Sequence, residues 1–223
     1  MKKNFDLLSG IIFGIIFCLT SLNTQIVKDI DGNVYNTVTI GSQVWMKENL
    51  KVTHYRNGDV IPEVTDVTSW SGLITGAYCN YNNDAGNVPT YGRLYNWYTV
   101  VDSRNLYPTG WHVPSDAEWT TLETYLGIYY LAGGKLKETG IIHWQSPNTG
   151  ADNSSGFTAL PGGQRSKGNN GVFVDIGRYG YWWTTSALDN YSAWAYSVGF
   201  SDAGLHRGSS YKQNSFSVRC VKE

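Results

Sequence analysis

The stretch GWHVPSDAEWTTLETYLG, residues 110–127, constrains the fold more than any other, because start, stripe and stop signals for one helix coincide in it. Ser115 with Glu118 three residues on forms a capping box: the serine hydroxyl accepts the Glu118 amide and the Glu118 carboxylate returns to the Ser115 amide. Pro114 and Trp119 supply a hydrophobic staple, Trp119, Leu122 and Leu126 continue a buried stripe, and Gly127 ends it. A second amphipathic helix is predicted in YGRLYNWYTVVD, where Leu94, Trp97, Tyr98 and Val101 fall at i, i+3, i+4 and i+7. One or two helical turns are expected over residues 132–139.

The remaining pattern is of short strands. Residues 26–50 read as an antiparallel meander punctuated by Asp31-Gly32 and Gly41-Ser42. Alternation returns at 181–186, at 193–200 with Trp194, Tyr196, Val198 and Phe200 on one face, and at 216–221. Residues 51–90 and the polar loop HWQSPNTGADNSSGF carry turn residues with little periodicity. The fold class is therefore α+β: two amphipathic helices, small antiparallel sheets pairing the chain ends, and long irregular loops. One domain over 26–223 is expected.

Residues 1–25 are set apart. Lys2 and Lys3 precede the apolar run LLSGIIFGIIFCLTSL, the layout of a secretory signal peptide. A retained anchor is the alternative, although this run is shorter than the ~20 residues of a spanning helix. Cys18 stands where a lipoprotein cysteine would stand, with the bulky Phe17 where a small residue is expected, so a lipid anchor is the one membrane link considered. The expected location is secreted, or the outer surface or periplasm of a Gram-negative bacterium. Export leaves Cys79 and Cys220, which are expected to pair as a disulfide in an oxidising compartment; such a closure is worth about 4 to 5 kcal/mol in the chain-entropy model. The other reading is a reactive thiol, but alternation puts Cys220 on one face with Phe216 and Val218, favouring burial.

Charge and motifs exclude several functions. The formal net charge is -1 and no Lys/Arg run exceeds two residues, so nucleic acid is not an expected partner. The four histidines, His54, His112, His143 and His206, show no metal-ligand spacing, and His112 reads as a half-buried scaffold residue. Asp116, Glu118 and Glu123 invite an acid/base reading, but capping and the helix dipole account for the first two. With no nucleophile elbow, P-loop, dinucleotide fingerprint or His-Glu-x-x-His, no catalytic residue is assigned. No cofactor is expected apart from calcium, for which Asn82 and Asp84 are the candidate oxygen ligands; the competing reading is a turn.

The surface expected to bind a ligand is aromatic and cationic. Tyr179, Trp182, Trp183, Trp194, His206, Arg207 and Tyr211 gather in the last third beside Arg165 and Arg178, a composition suited to sugar stacking or to protein hot spots. In a regular strand one of Trp182 and Trp183 faces the core and the other a loop-covered or open side; both faces being buried is the equal alternative.

The ordered segments DIDGNVYNTVTIGSQVWMKENL, HYRNGD, YCNYNND, YGRLYNWYTV, GWHVPSDAEWTTLETYLG, AGGKLKE, SPNTGADNSSGF, ALPGGQR, YWWTTS and FSVRCVKE resemble the Fibrobacter succinogenes major paralogous domain, found in secreted and surface proteins of Bacteroidetes-type bacteria. More remotely, GWHVPSDAEWTTL and FSVRCVKE are similar to motifs of the formylglycine-generating enzymes. Both resemblances imply a C-type-lectin-like fold. The copper-binding cysteine pair of those enzymes is not matched, since only Cys220 lies in that region, and Ser146-Pro147-Asn148 lacks the first ligand of calcium-dependent lectins. The expected function is a non-enzymatic binding module for a glycan or an extracellular protein. A divergent formylglycine-type enzyme and a structural part of a surface assembly are the alternatives.

Overall fold

Helix nucleation is costly, so the chain forms its longest helix where the caps are complete. The computed structural model describes residues 26–223, and the signal segment and Cys18 lie outside them. Strands β1 (Val27–Lys28) and β2 (Val34–Tyr35) make one hairpin, and β3 (Thr37–Ile40) with β4 (Gln43–Met46) makes the next, as the N-terminal pattern predicts. The excursion that follows holds α1 (Val67–Ser71), β5 (Tyr78–Cys79) and α2 (Val88–Tyr91), then β6 (Leu94–Tyr95) and α3 (Trp97–Val100). Next come β7 (Trp111–His112), α4 (Asp116–Leu126) and α5 (Tyr129–Leu136). The hairpin β8 (Gly162–Ser166) and β9 (Val172–Ile176) precedes a three-stranded meander, β10 (Tyr179–Ala187), β11 (Ser192–Gly199) and β12 (His206–Tyr211). Last is β13 (Val221–Lys222), inserted between β4 and β7 in the order β3-β4-β13-β7. Val221 opposes both Trp45 and His112, so the two ends of the described chain meet in one sheet. Among the described residues no helix is long and apolar enough to cross a membrane.

The capping box of α4 forms as the sequence predicts. Ser115 Oγ accepts the Glu118 amide at 3.3 Å, and Glu118 Oε2 accepts the Ser115 amide at 2.7 Å. The helix predicted over 94–101 does not form. Asn96 Oδ1 accepts the Thr99 amide and restarts the chain as the single turn α3, while Gly92, at φ +76°, turns Leu94 and Tyr95 into a strand paired with β5. Local side-chain bonds of this kind compete with helix propagation. Val101 consequently faces solvent. In α5, which begins three residues before the predicted turns, Gly133 and Gly134 lie against the backbone of Gly204 and Gly150, an approach that any Cβ would block.

Three apolar clusters fill the interior. Trp119 of α4 stacks on Tyr196 with ring centres 5.0 Å apart, and Trp45, Phe157 and Trp182 close around it. The second cluster gathers Trp97, Trp111, Trp183, Phe216 and Cys220, and the third holds Trp70, Tyr81, Leu94 and Cys79. The expected disulfide is therefore corrected. Cys79 and Cys220 are both buried and unpaired, the Cys79 thiol donating to Ser215 Oγ at 3.7 Å. They belong to different clusters, and burial pushes the Cys79 thiol up to about 12 and Cys220 higher still. A deeply buried thiol of that kind is inert, which also removes the reactive-cysteine reading.

Candidate functional site

A broad concavity follows from one strand's alternation. Tyr179, Tyr181 and Trp183 share one face of β10, and their partners across β11 are Gly199, Ser197 and Ala195. The next strand adds Gly208 and Ser210 on the same face. Three aromatic residues thus stand beside a floor with almost no side-chain bulk. Tyr179 stacks on Tyr181 at 5.8 Å, Tyr181 on Phe216 at 5.0 Å, and Phe216 meets Trp183 at 4.4 Å. Tyr181 and Phe216 of this ladder bound a groove of about 490 Å³ whose lining includes Gln164, Ser166, Ser210, Tyr211 and Asn214. A recess of about 70 Å³ over Ala195, Ser197 and Gly208 continues it.

The polar groups are few and aimed. Tyr181 donates its hydroxyl to Asp175 Oδ2 at 2.9 Å, and Gln164 Nε2 donates to the same oxygen at 3.2 Å. Burial, with Asp175 adding to it, pushes the Tyr181 phenol far above its ordinary range, so the ring presents a neutral face. Asp175 takes φ +73°, a left-handed conformation that is costly for a residue with a Cβ and is held by the turn into Gly177. At the rim, the Lys167 ammonium lies 5.3 Å from the Tyr211 ring. Neutral aromatic faces, serine hydroxyls and carboxamides around a cavity of this size suit an uncharged, hydroxyl-rich ligand.

A profile of the Fibrobacter succinogenes major domain matches residues 38–222. The chain belongs to the Fibrobacter succinogenes major domain family. No curated protein and no solved structure matches it.

In this Fibrobacter succinogenes major domain, the residues singled out in the sequence divide sharply. Tyr211 borders the groove, Tyr179 stacks behind its wall on Tyr181, and Trp183 lies buried beneath it. Trp182 points the opposite way and is equally buried, so neither tryptophan is open to a ligand. Arg165 is buried as well. Its Nε, Nη1 and Nη2 donate to the carbonyls of Gly171, Val64 and Thr65, each at 2.8 Å, and its plane covers Trp70 and Phe173, tying the long excursion to β8. Arg178 lies over Phe200.

Arg207 covers Trp194 at 3.4 Å and is held by Asp116 through two bonds of 2.7 and 2.8 Å, which latches β12 onto α4. His206 pairs with Asp202 at 2.8 Å. His112 donates its Nε2–H to Glu118 Oε1 at 2.6 Å, a scaffold contact. Asn82 sits in a left-handed turn and Asp84 Oδ1 accepts the Gly86 amide at 2.8 Å. Among the described residues no group of three or more His, Cys, Asp or Glu is gathered to hold a metal. The residues that sequence reasoning passed over are the small and polar ones: Gln164, Ser197, Ser209, Ser210 and Asn214. For Ser209 and Ser210 the signal was the loss of apolar alternation in HRGSSY, which marks a strand face left without a packing partner.

Proposed function

We propose that this chain is a secreted or surface-attached, non-enzymatic binding module of C-type-lectin-like fold, and that its groove holds a neutral glycan. The observation that carries this reading is the stacked ladder Tyr179, Tyr181 and Phe216 beside the floor of Ala195, Ser197, Gly208 and Ser210. Flat aromatic faces accept the apolar face of a sugar ring, and the hydroxyl and carboxamide groups around them can exchange hydrogen bonds with its hydroxyls. The N-terminal charged and apolar segments support export. Against a formylglycine-type enzyme stands the separation of Cys79 from Cys220 in different clusters.

The test is an array of neutral and charged glycans probed with the full chain, with and without calcium. Neutral glycans are expected to bind in both conditions. Tyr181→Ala, which removes the middle ring, and Ser210→Trp, which fills the floor, should each weaken binding about tenfold or more, since a truncated aromatic hot spot costs over ~1.4 kcal/mol. If no glycan binds in either condition, the groove is not a sugar site and an extracellular protein becomes the ligand class to examine.

A further inference from the structure

Behind β10, on the side opposite the groove, a cation is buried without an ion-pair partner among the described residues. Arg219 is 1% exposed. Its Nε and Nη2 donate to Asn49 Oδ1 at 3.1 and 2.9 Å, its Nη1 donates to the Phe157 carbonyl at 2.5 Å, and it lies 4.0 Å from the Phe157 ring centre and 5.6 Å from that of Trp182. Every one of these partners is neutral, and among the described residues no carboxylate forms an ion pair with it. A guanidinium carries five N–H donors, and these contacts use three of them, leaving two. Removing such a cation from water without an anion costs several kcal/mol. Burial, opposed only by the nearby Glu48 carboxylate, pulls its pKa down to about 9.

The same guanidinium lines a cavity of about 180 Å³ together with Lys47, Glu48, Asn49, Thr90, Thr158 and Leu160. Both oxygens of Glu48 are already taken, by the Asn36 amide at 2.7 Å and its side-chain nitrogen at 2.8 Å. The Lys47 ammonium has no hydrogen bond, ion pair or ring contact among the described residues. Thr158 adopts φ +57°, a strained position for a β-branched residue, held by bonds between Asn153 and both its amide and its hydroxyl. Two cations and one engaged carboxylate leave the cavity with one net positive charge. Its volume is below the range of sites for drug-sized ligands, about 300 to 1,000 Å³, and matches a small group.

We propose that this cavity binds a single carboxylate group, through Arg219 and Lys47 with the Thr90 hydroxyl beside them. One net charge favours a monoanion over the phosphate dianion, and the planar fork of arginine matches a carboxylate. The carboxylate can come from a small free acid or from a uronic acid unit of a polysaccharide. The site is separate from the glycan groove and stands or falls without it.

The experiment is an NMR titration of the isotopically labelled full chain, following the Arg219 Nε–H and Thr158 amide signals at constant chloride. The probes are acetate, glucuronate, inorganic phosphate and acetamide, the last being an uncharged match in shape for acetate. A saturable shift with acetate, absent with acetamide and at least tenfold weaker in Lys47→Met, is the expected result. A parallel shift with glucuronate assigns the carboxylate to an acidic sugar, and acetate binding alone assigns it to a small acid. An unmoved Arg219 signal, an equal response to acetamide, tighter binding of phosphate than of acetate, or unchanged affinity in Lys47→Met overturns the proposal. Lys47 is half-buried at the cavity edge, so its replacement leaves the buried Arg219 network in place.

Discussion

Lys137 illustrates what a single buried charge does to this molecule. Its ammonium donates to the carbonyls of Thr149, Gly199 and Asp202 at 2.9, 2.8 and 2.7 Å, and no part of the residue reaches solvent. Burial, opposed by Asp202, lowers its pKa from 10.5 to about 8. The folded protein therefore sheds this proton before the unfolded chain does. The cost of holding the charge is complete below pH 8 and is relieved as pH rises from 8 toward 10.5, so this residue makes stability climb with pH in that window. Between pH 8 and 9.5 the wild type is expected to gain on Lys137→Met by about 1 kcal/mol per pH unit, measured from paired urea unfolding curves. A difference between the two proteins that stays flat over that interval would contradict the assignment. Arg165 is the complementary case: a residue whose charge suggested a ligand contact from the sequence is instead satisfied by three carbonyls, which only the folded path of residues 64–65 and 171 could reveal.

At the scale of elements, α4 carries the most information per residue. Burial opposes ionisation of Glu118, but the bonds from the Ser115 amide and hydroxyl and from His112 outweigh it and hold the carboxyl below its ordinary 4.5. The stabilisation from these bonds is present above pH 4.5 and is lost as pH falls through the lowered folded value. Ser115→Ala is expected to cost about 1 kcal/mol near pH 7. Glu118→Gln should lower the Tm at pH 7, and the gap to the wild type should narrow by pH 3.5; a gap of constant size in thermal melts would show that the charge is not what the cap uses. The element was legible in the sequence because cap, staple, stripe and stop are all local. The stripe at Leu94, Trp97 and Tyr98 was misleading for the opposite reason. Leu94 and Trp97 are buried by strand pairing across β5 and by the clusters of distant segments, while Tyr98 is only half-buried, so the helical spacing is a coincidence of position.

The whole molecule is organised around β10, whose Trp182 and Trp183 enter different cores. The α+β class, the N-terminal hairpins, β10, β11 and the meeting of the chain ends were readable from periodicity, whereas β12 was not, and of the strand expected over 216–221 only Val221 lies in a strand, β13. The groove was only half readable, because aromatic residues announce themselves whether they are core or surface, whereas a floor is made by the absence of bulk at Ala195, Ser197 and Gly208. The thiols were misjudged because a cysteine count says nothing of which cluster each one enters. Cys79 and Cys220 are expected to react with a thiol reagent only on global unfolding, both at the unfolding rate; labelling of either in the native protein would mean that its cluster opens on its own. A further consequence lies in the placing of β13. The sheet that joins the ends is held by Val221 between Trp45 and His112, so β4 waits for a partner 176 positions away. At about 5 to 20 residues per second of synthesis, that wait is roughly 10 to 35 s. Throughout it the growing chain lacks a central strand of that sheet, so β4 and β7 stay unjoined until Val221 has emerged, a clock set by topology alone.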